Sequence, residues 1–157
     1  FTPVFVAKVF FFAEKWHLNR YGRPIIADTY IAMPRGPVPS TIKDFIDAKW
    51  GWVEKPEDIE EAITVDRAKR PFRLMPGSRE PDLSVLSETD IECLKAAVDF
   101  CAIKTADELS AITHHEKAWQ RAPVNGPMDY ADFVDDENDI RDEILEMAHE
   151  HAACGVL

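Results

Sequence analysis

Cysteine is scarce in this 157-residue chain: Cys93, Cys101 and Cys154 are an odd number and form no CxxC pair. That excludes a disulfide framework and a zinc ribbon. Glycine is also thin, with six residues and no Gly-rich phosphate loop among them. No long apolar run exists, because Lys8, Glu14 and Lys15 interrupt the best candidate, Val4 to Trp16, well short of the roughly 20 residues that cross a bilayer. A membrane protein is therefore not expected. Nothing reads as a signal peptide, so the expected compartment is the cytoplasm.

Positive charge is missing from one region in particular. Residues 1–123 hold 19 acids and 17 bases, a net of −2, whereas 124–157 hold 10 acids against the single base Arg141, a net of −9. Binding to a duplex rests on Lys and Arg neutralising phosphates, so this end is repelled by nucleic acid and attracted to a cationic protein surface. The plainer alternative is a solvated helix face that aids solubility.

What is present is a globular composition, 46% apolar, in one domain spanning residues 1–157. Thr2 and Pro3 open a helix whose apolar row is Phe5, Val9, Phe12, Ala13 and Trp16. A second row, Val6 and Phe10, widens the stripe and marks a central helix. Phe11 falls on the opposite side, with Lys8 and Lys15. There it is either a partner contact or covered by a later segment. Gly22 and Pro24 stop the helix.

Ile25 to Met33 reads as a short strand. Arg35 to Ser40 reads as a turn leading into a helix over Thr41 to Ala48, with Ile42, Phe45 and Ile46 inward and Gly51 ending the unit. Residues 53–86 are irregular: Pro56 to Asp58 can start a helix through Ala62, and Phe72–Met75 and Asp82–Val85 are candidate strands. Arg67, Lys69, Arg70 and Arg73 are the basic cluster, suited to an anionic ligand or to a solvated loop.

Ser87 to Asp90 and Thr105 to Glu108 are capping boxes. The first starts a helix carrying Ile91, Leu94, Ala97, Val98 and Cys101, and the second a helix carrying Leu109 and Ile112. His114 to Arg121 continues as helix or tight turn, with Trp119 inward and His114 a buried hydrogen-bond partner rather than a catalyst. A short turn of helix over Asp129 to Phe133 leads to an acidic helix over 136–153, docked through Ile140, Ile144, Met147, Ala148 and His151. Asp139, Asp142, Glu143, Glu146 and Glu150 face outward. The expected fold class is mainly α (α+β), about six helices with a small β element.

The chemistry is sparse. His149 and His151, two residues apart on a helix, point about 200° apart. Cys93 and Cys101 lie roughly 12 Å apart at helical rise, and adjacent His114, His115 and Glu116 diverge. No nucleophile elbow or HExxH motif occurs. The reading is of a protein that is not an enzyme, with no metal and no cofactor.

Four segments in order, KVFFFAEKWHLNRYG from Lys8, TYIAMPRGPVPS from Thr29, LSETD from Leu86 and ELSAITHHEKAWQRA from Glu108, resemble the successive signatures of the Panacea domain. That family includes SocA-like antitoxins and phage-associated proteins. The resemblance implies an antitoxin that binds and neutralises a cognate protein toxin. A proteolytic adaptor or chaperone-like protein presenting the toxin to an ATP-dependent protease is the alternative. A DNA-binding autoregulator is the second alternative, disfavoured by the charge. A homo-oligomer is compatible with all three. The expected toxin-binding residues are Phe11, His17, Tyr21, the turn Arg35, Gly36, Pro37, Val38, Pro39 and Ser40, and the acidic pair Asp142 and Glu146. Gly36 permits a positive φ, and the prolines stiffen the entry to the next helix. A rigid exposed turn loses little entropy on binding. The alternative for that turn is a purely structural corner. The Phe10–Phe12 run and the dense acidic end from Asp129 to Glu150 depart from the family average, so Phe11 and the outer acidic row are where toxin specificity is expected.

Overall fold

The computed structural model describes residues 1–48 and 59–153, and for Glu60 and residues 148–153 it describes the backbone alone. Gly51, the helix start at Pro56 to Asp58, Cys154 and the side chains of Ala148, His149, Glu150 and His151 therefore lie outside the described residues.

Helix α1, Pro3–Tyr21, is the axis of the molecule. Thr2 caps it by accepting from the Phe5 N–H, and Gly22 closes it at φ 74. The expected face, with Val9, Phe12 and Ala13, is buried, but Lys8, Phe11, Glu14 and His17 on other faces are buried too. The helix is enclosed on nearly every side. It packs chiefly on α4, Glu88–Ala102.

Phe11 is fully buried, which corrects its reading as a surface contact and selects the covering alternative. Tyr30 and Phe133 close over it with ring centroids at 6.0 and 5.3 Å. Truncation to Ala is expected to cost about 3–5 kcal/mol, read as a lower denaturant midpoint at unchanged slope. A cost near zero would mean the aromatic cluster does not hold α1 in place.

Strands β1, Tyr30–Met33, and β2, Gly36–Pro39, form an antiparallel hairpin. The expected strand from Ile25 is thus shorter: Ala27 sits at φ 50, and the segment before Tyr30 wraps the end of α1. The Gly36–Pro39 turn is corrected as well. The turn proper is Pro34–Arg35, and Gly36 to Pro39 is an edge strand. Register explains why prolines are tolerated there. Val38 lies opposite Ile31 and Gly36 opposite Met33, in the hydrogen-bonded pairs, while the nitrogens of Pro37 and Pro39 face away from β1. On its other side β1 is bonded to residues 125–128.

Helix α2, Ser40–Asp47, follows at once. Asp28 caps it by accepting from the Thr41 and Ile42 N–H groups and the Ser40 hydroxyl. Helix α3, Ile59–Ala62, runs into strand β3, Ile63–Asp66, which pairs antiparallel with β4, Arg73–Pro76. The expected strand at Asp82–Val85 is a 3-10 turn at Leu83–Val85, capped by Asp82. Both capping boxes form, at the starts of α4 and of α5, Ala106–His114. Helix α6, Lys117–Arg121, and a 3-10 turn at Tyr130–Asp132 precede α7, Arg141–Ala153, which begins later than expected.

The protein is a mainly helical α+β domain with two small antiparallel sheets. No described helix is long and apolar enough to cross a membrane.

Candidate protein-docking site

An open apolar groove of about 350 Å³ runs between the first turns of α1, the tip of the β1–β2 hairpin and α2. Pro3, Val4, Ala7, Met33, Val38 and Ile42 line it. The start of α1 is proline-led and free of acids, so its apolar residues face the hairpin without a polar interruption. Two ion pairs mark the rim: Arg35 to Asp107 at 2.9 Å and Lys43 to Asp47 at 2.5 Å.

The hairpin wall is fixed from behind. Lys8 is 1% exposed and donates to the Pro37 carbonyl at 3.4 Å. Burial pulls its amine down to about 7 from 10.5. Cys101 lies beside it, its thiol pushed up by burial to about 11. Gly36, at φ 97, makes the close approach possible, since a Cβ there would overlap Lys8 Nζ and Thr113 Oγ1. Trp119 donates its indole N–H to the Met33 carbonyl at 3.0 Å and stacks on His114. Trp119 is half-buried at the margin of the core.

The far end of α1 is held by a second polar system. Glu14 is buried and accepts from the Ile25, Ile26 and Ala27 N–H groups at 3.0, 3.1 and 2.9 Å and from the Tyr130 hydroxyl at 2.8 Å. Burial and the neighbouring Glu14 carboxylate hold the Tyr130 phenol well above its ordinary range, so it stays a donor. His17 is fully buried, with Nδ1 2.8 Å from the Arg23 carbonyl and Nε2 3.0 Å from Thr89 Oγ1 and 3.1 Å from Asp90. Burial alone would raise the Asp90 carboxyl, but hydrogen bonds from Ser87 and the Arg23 guanidinium hold it below the usual carboxylate range. This cluster ties α1 to the start of α4.

The expected contact residues are thereby separated. Arg35 is exposed, and Val38 and Ser40 are half-buried. Arg35, Val38 and Pro39 line the groove. Gly36, Pro37 and Pro39 are buried, so the exposed rigid turn is corrected to a wall with one accessible side chain, Val38. His17, expected at the surface, is corrected to an internal strut, because both ring nitrogens are engaged by Arg23, Thr89 and Asp90. Tyr21 is half-buried, packs with its ring tilted against His17 at 4.8 Å and donates to Glu92 at 3.1 Å.

Asp142 and Glu146 are exposed on α7, at the opposite end of α1 from the groove, where Ile144 and Met147 lie against Gly22. Of the expected inward row, Ile144 is fully buried, whereas Ile140 and Met147 are each about 40% exposed. Among its described side chains, α7 is docked through Ile144, joined by the partly buried Leu145, which the expected row did not include. Asp132, Asp135 and Asp136 are spent on Arg121, Lys15 and Lys117.

Sequence reasoning missed Val4, Ala7, Met33 and Lys8 as parts of one site. The available signal was a lysine inside an otherwise apolar helix segment. Among the described residues no group of His, Cys, Asp and Glu is arranged to hold a metal ion.

Comparison with curated proteins and with solved structures gives no match. A model of the antitoxin SocA-like Panacea domain matches residues 6–120. That span takes in α1 from Val6 onward, both hairpins and the helices through most of α6, including all of the groove lining except Pro3 and Val4, and it stops before the acidic end. The chain belongs to the antitoxin SocA-like, Panacea-domain family.

Proposed function

We propose that this chain neutralises a cognate protein toxin by direct contact, with the groove beside the β1–β2 hairpin as its anchor. The observation that carries the reading is a preformed apolar recess with a charged rim, lined by the family-matched part of the chain except at Pro3 and Val4. Protein interfaces are held by a few apolar anchors seated in pockets and ringed by polar residues that exclude water. The wall is locked by Gly36, Lys8 and the edge prolines, so a toxin segment entering it orders little on this side. Apolar side chains of the toxin enter between Val4, Val38 and Ile42, and Arg35 and Lys43 select acidic or carbonyl groups flanking them. The acidic face of α7 lies too far along α1 to share that anchor.

The test is growth rescue by co-expression with the product of the neighbouring reading frame. Wild type restores growth. Val38→Asp places a charge in the recess and is expected to weaken the complex by a factor of about 30 or more, abolishing rescue. Val85→Asp, at an exposed site outside the groove, is expected to rescue fully. Thermal melts of both variants separate loss of contact from loss of fold. A folded Val38→Asp chain that rescues like wild type overturns the reading.

A further inference from the structure

Charge in this chain is sorted to two ends. Residues 67–79 contain Arg67, Lys69, Arg70, Arg73 and Arg79 and no acid. All five are exposed on or beside the β3–β4 hairpin. Arg67 and Arg70 lie over the Phe72 ring at 5.4 and 4.6 Å. Arg67 donates to the Ile46 carbonyl, and Arg70 to the carbonyls of Arg67 and Lys69. Lys69 reaches Asp66 at 3.5 Å. Among the described residues, Arg67, Arg70 and Arg73 meet no carboxylate, in a chain that carries 29 acids.

The converse holds at the other end. Asp139, Asp142, Glu143 and Glu146 are exposed on and before α7 and have no basic partner among the described residues. The hairpin sits on the start of α1, where the Phe1 ammonium and carbonyl bond Leu74, and α7 sits on its end, against Gly22. At about 1.5 Å per residue these points are on the order of 25–30 Å apart, several times the screening length of roughly 8 Å at physiological salt. Within one molecule the two patches cannot neutralise each other.

From this we infer that the basic β3–β4 hairpin of one copy docks on the acidic face of α7 of a second copy. Guanidinium groups held against Phe72 lose little freedom on binding and pair two-pronged with carboxylates. The contact pairs unlike surfaces: closed reciprocally, hairpin on α7 at both contacts, it makes a two-fold dimer, and made once per pair it continues head-to-tail. Nucleic acid offers the same guanidinium chemistry. Outside residues 67–79, however, the chain carries 29 acids and 13 bases, which opposes approach to a continuous polyanion. The contact does not use the groove.

Sedimentation of the full chain over a range of concentrations tests it. The average mass is expected to rise from the monomer with concentration at low salt and to fall back to the monomer at about 1 M salt. Arg70→Glu with Arg73→Glu, and separately Asp142→Arg with Glu146→Arg, should each sediment as a monomer, and mixing the two variants should restore association. The Arg70→Glu with Arg73→Glu variant should still rescue growth. A wild type that stays monomeric at low salt, variants that associate like wild type, or a mixture that stays monomeric overturns the inference. So does a hairpin variant that loses a single-stranded RNA oligonucleotide while self-association is unchanged.

Discussion

Replacing Glu14 by Leu is expected to destabilise the protein by about 3–5 kcal/mol, the cost of stripping several inward-facing donors of their acceptor. Its carboxylate serves three consecutive backbone N–H groups, Ile25 to Ala27, and the Tyr130 hydroxyl. Those bonds shape the reversal of the chain after α1, in which Ala27 takes φ 50 and Asp28 is delivered to cap α2. Helix α2 is one wall of the groove. A loss at Glu14 therefore propagates to the docking surface by a short path. Glu14→Gln keeps one oxygen as acceptor and should cost less, about 1–2 kcal/mol. Urea unfolding reads both. Equal costs for the two variants would mean that the carboxylate's several acceptor positions are not what holds the turn.

Lys8→Met is expected to act in the opposite direction and to stabilise the fold by about 3 kcal/mol at pH 7. The amine titrates at about 7 in the folded chain against 10.5 unfolded. Holding it out of its preferred charged state costs roughly 4 kcal/mol at pH 7, of which the lost bond to the Pro37 carbonyl returns about 1 kcal/mol. Methionine matches the length of the stem and has no charge to desolvate. Between about 7 and 10.5 the unfolded chain binds more protons at this position than the folded one, so wild-type stability from this group rises with pH across that window. Below about 7 the penalty is complete and constant. The wild type should thus gain about 2 kcal/mol on the Met variant between pH 7 and 9, below the range in which the Cys101 thiol, pushed up to about 11, begins to lose its proton in the folded state. A Met variant less stable than wild type at pH 7 would show that the amine has a stabilising partner.

Elements specified by neighbours in sequence were legible. Ser87 with Asp90 and Thr105 with Glu108 form the expected reciprocal bonds, because a capping box closes over three residues and needs nothing from the rest of the fold. The mainly helical class and the family followed from the same local signals. Elements decided by distant partners were not legible. Phe11 could be placed on one side of α1 by helical geometry, but the rings that bury it arrive from Tyr30 and Phe133. Pro37 and Pro39 read as a turn because proline cannot donate to a ladder. Only the register with β1 shows that their nitrogens face outward, where no donor is required. The strand Ile63–Asp66 alternates apolar and polar residues but went unseen because it is only four residues long and its partner, β4, lies across a proline-bearing loop.

The groove has the same history. Arg35 and Val38 were chosen from the turn, and the structure keeps them at one surface with Pro3, Val4 and Ile42. His17 and Phe11, expected from the same helix, are internal struts that fix α1 against its neighbours. The acidic residues Asp142 and Glu146 stand at the other end of α1, so steering by negative potential and anchoring by the groove are separable by mutation.

The most direct measurement is titration of the purified chain with the purified product of the adjacent reading frame, followed by hydrogen exchange on the mixture. A stoichiometric complex, with protection gained at the first turn of α1, the Met33–Val38 hairpin tip and α2 and lost in Val38→Asp, is the predicted result. No complex, or a complex whose protection falls entirely outside the groove, would contradict it.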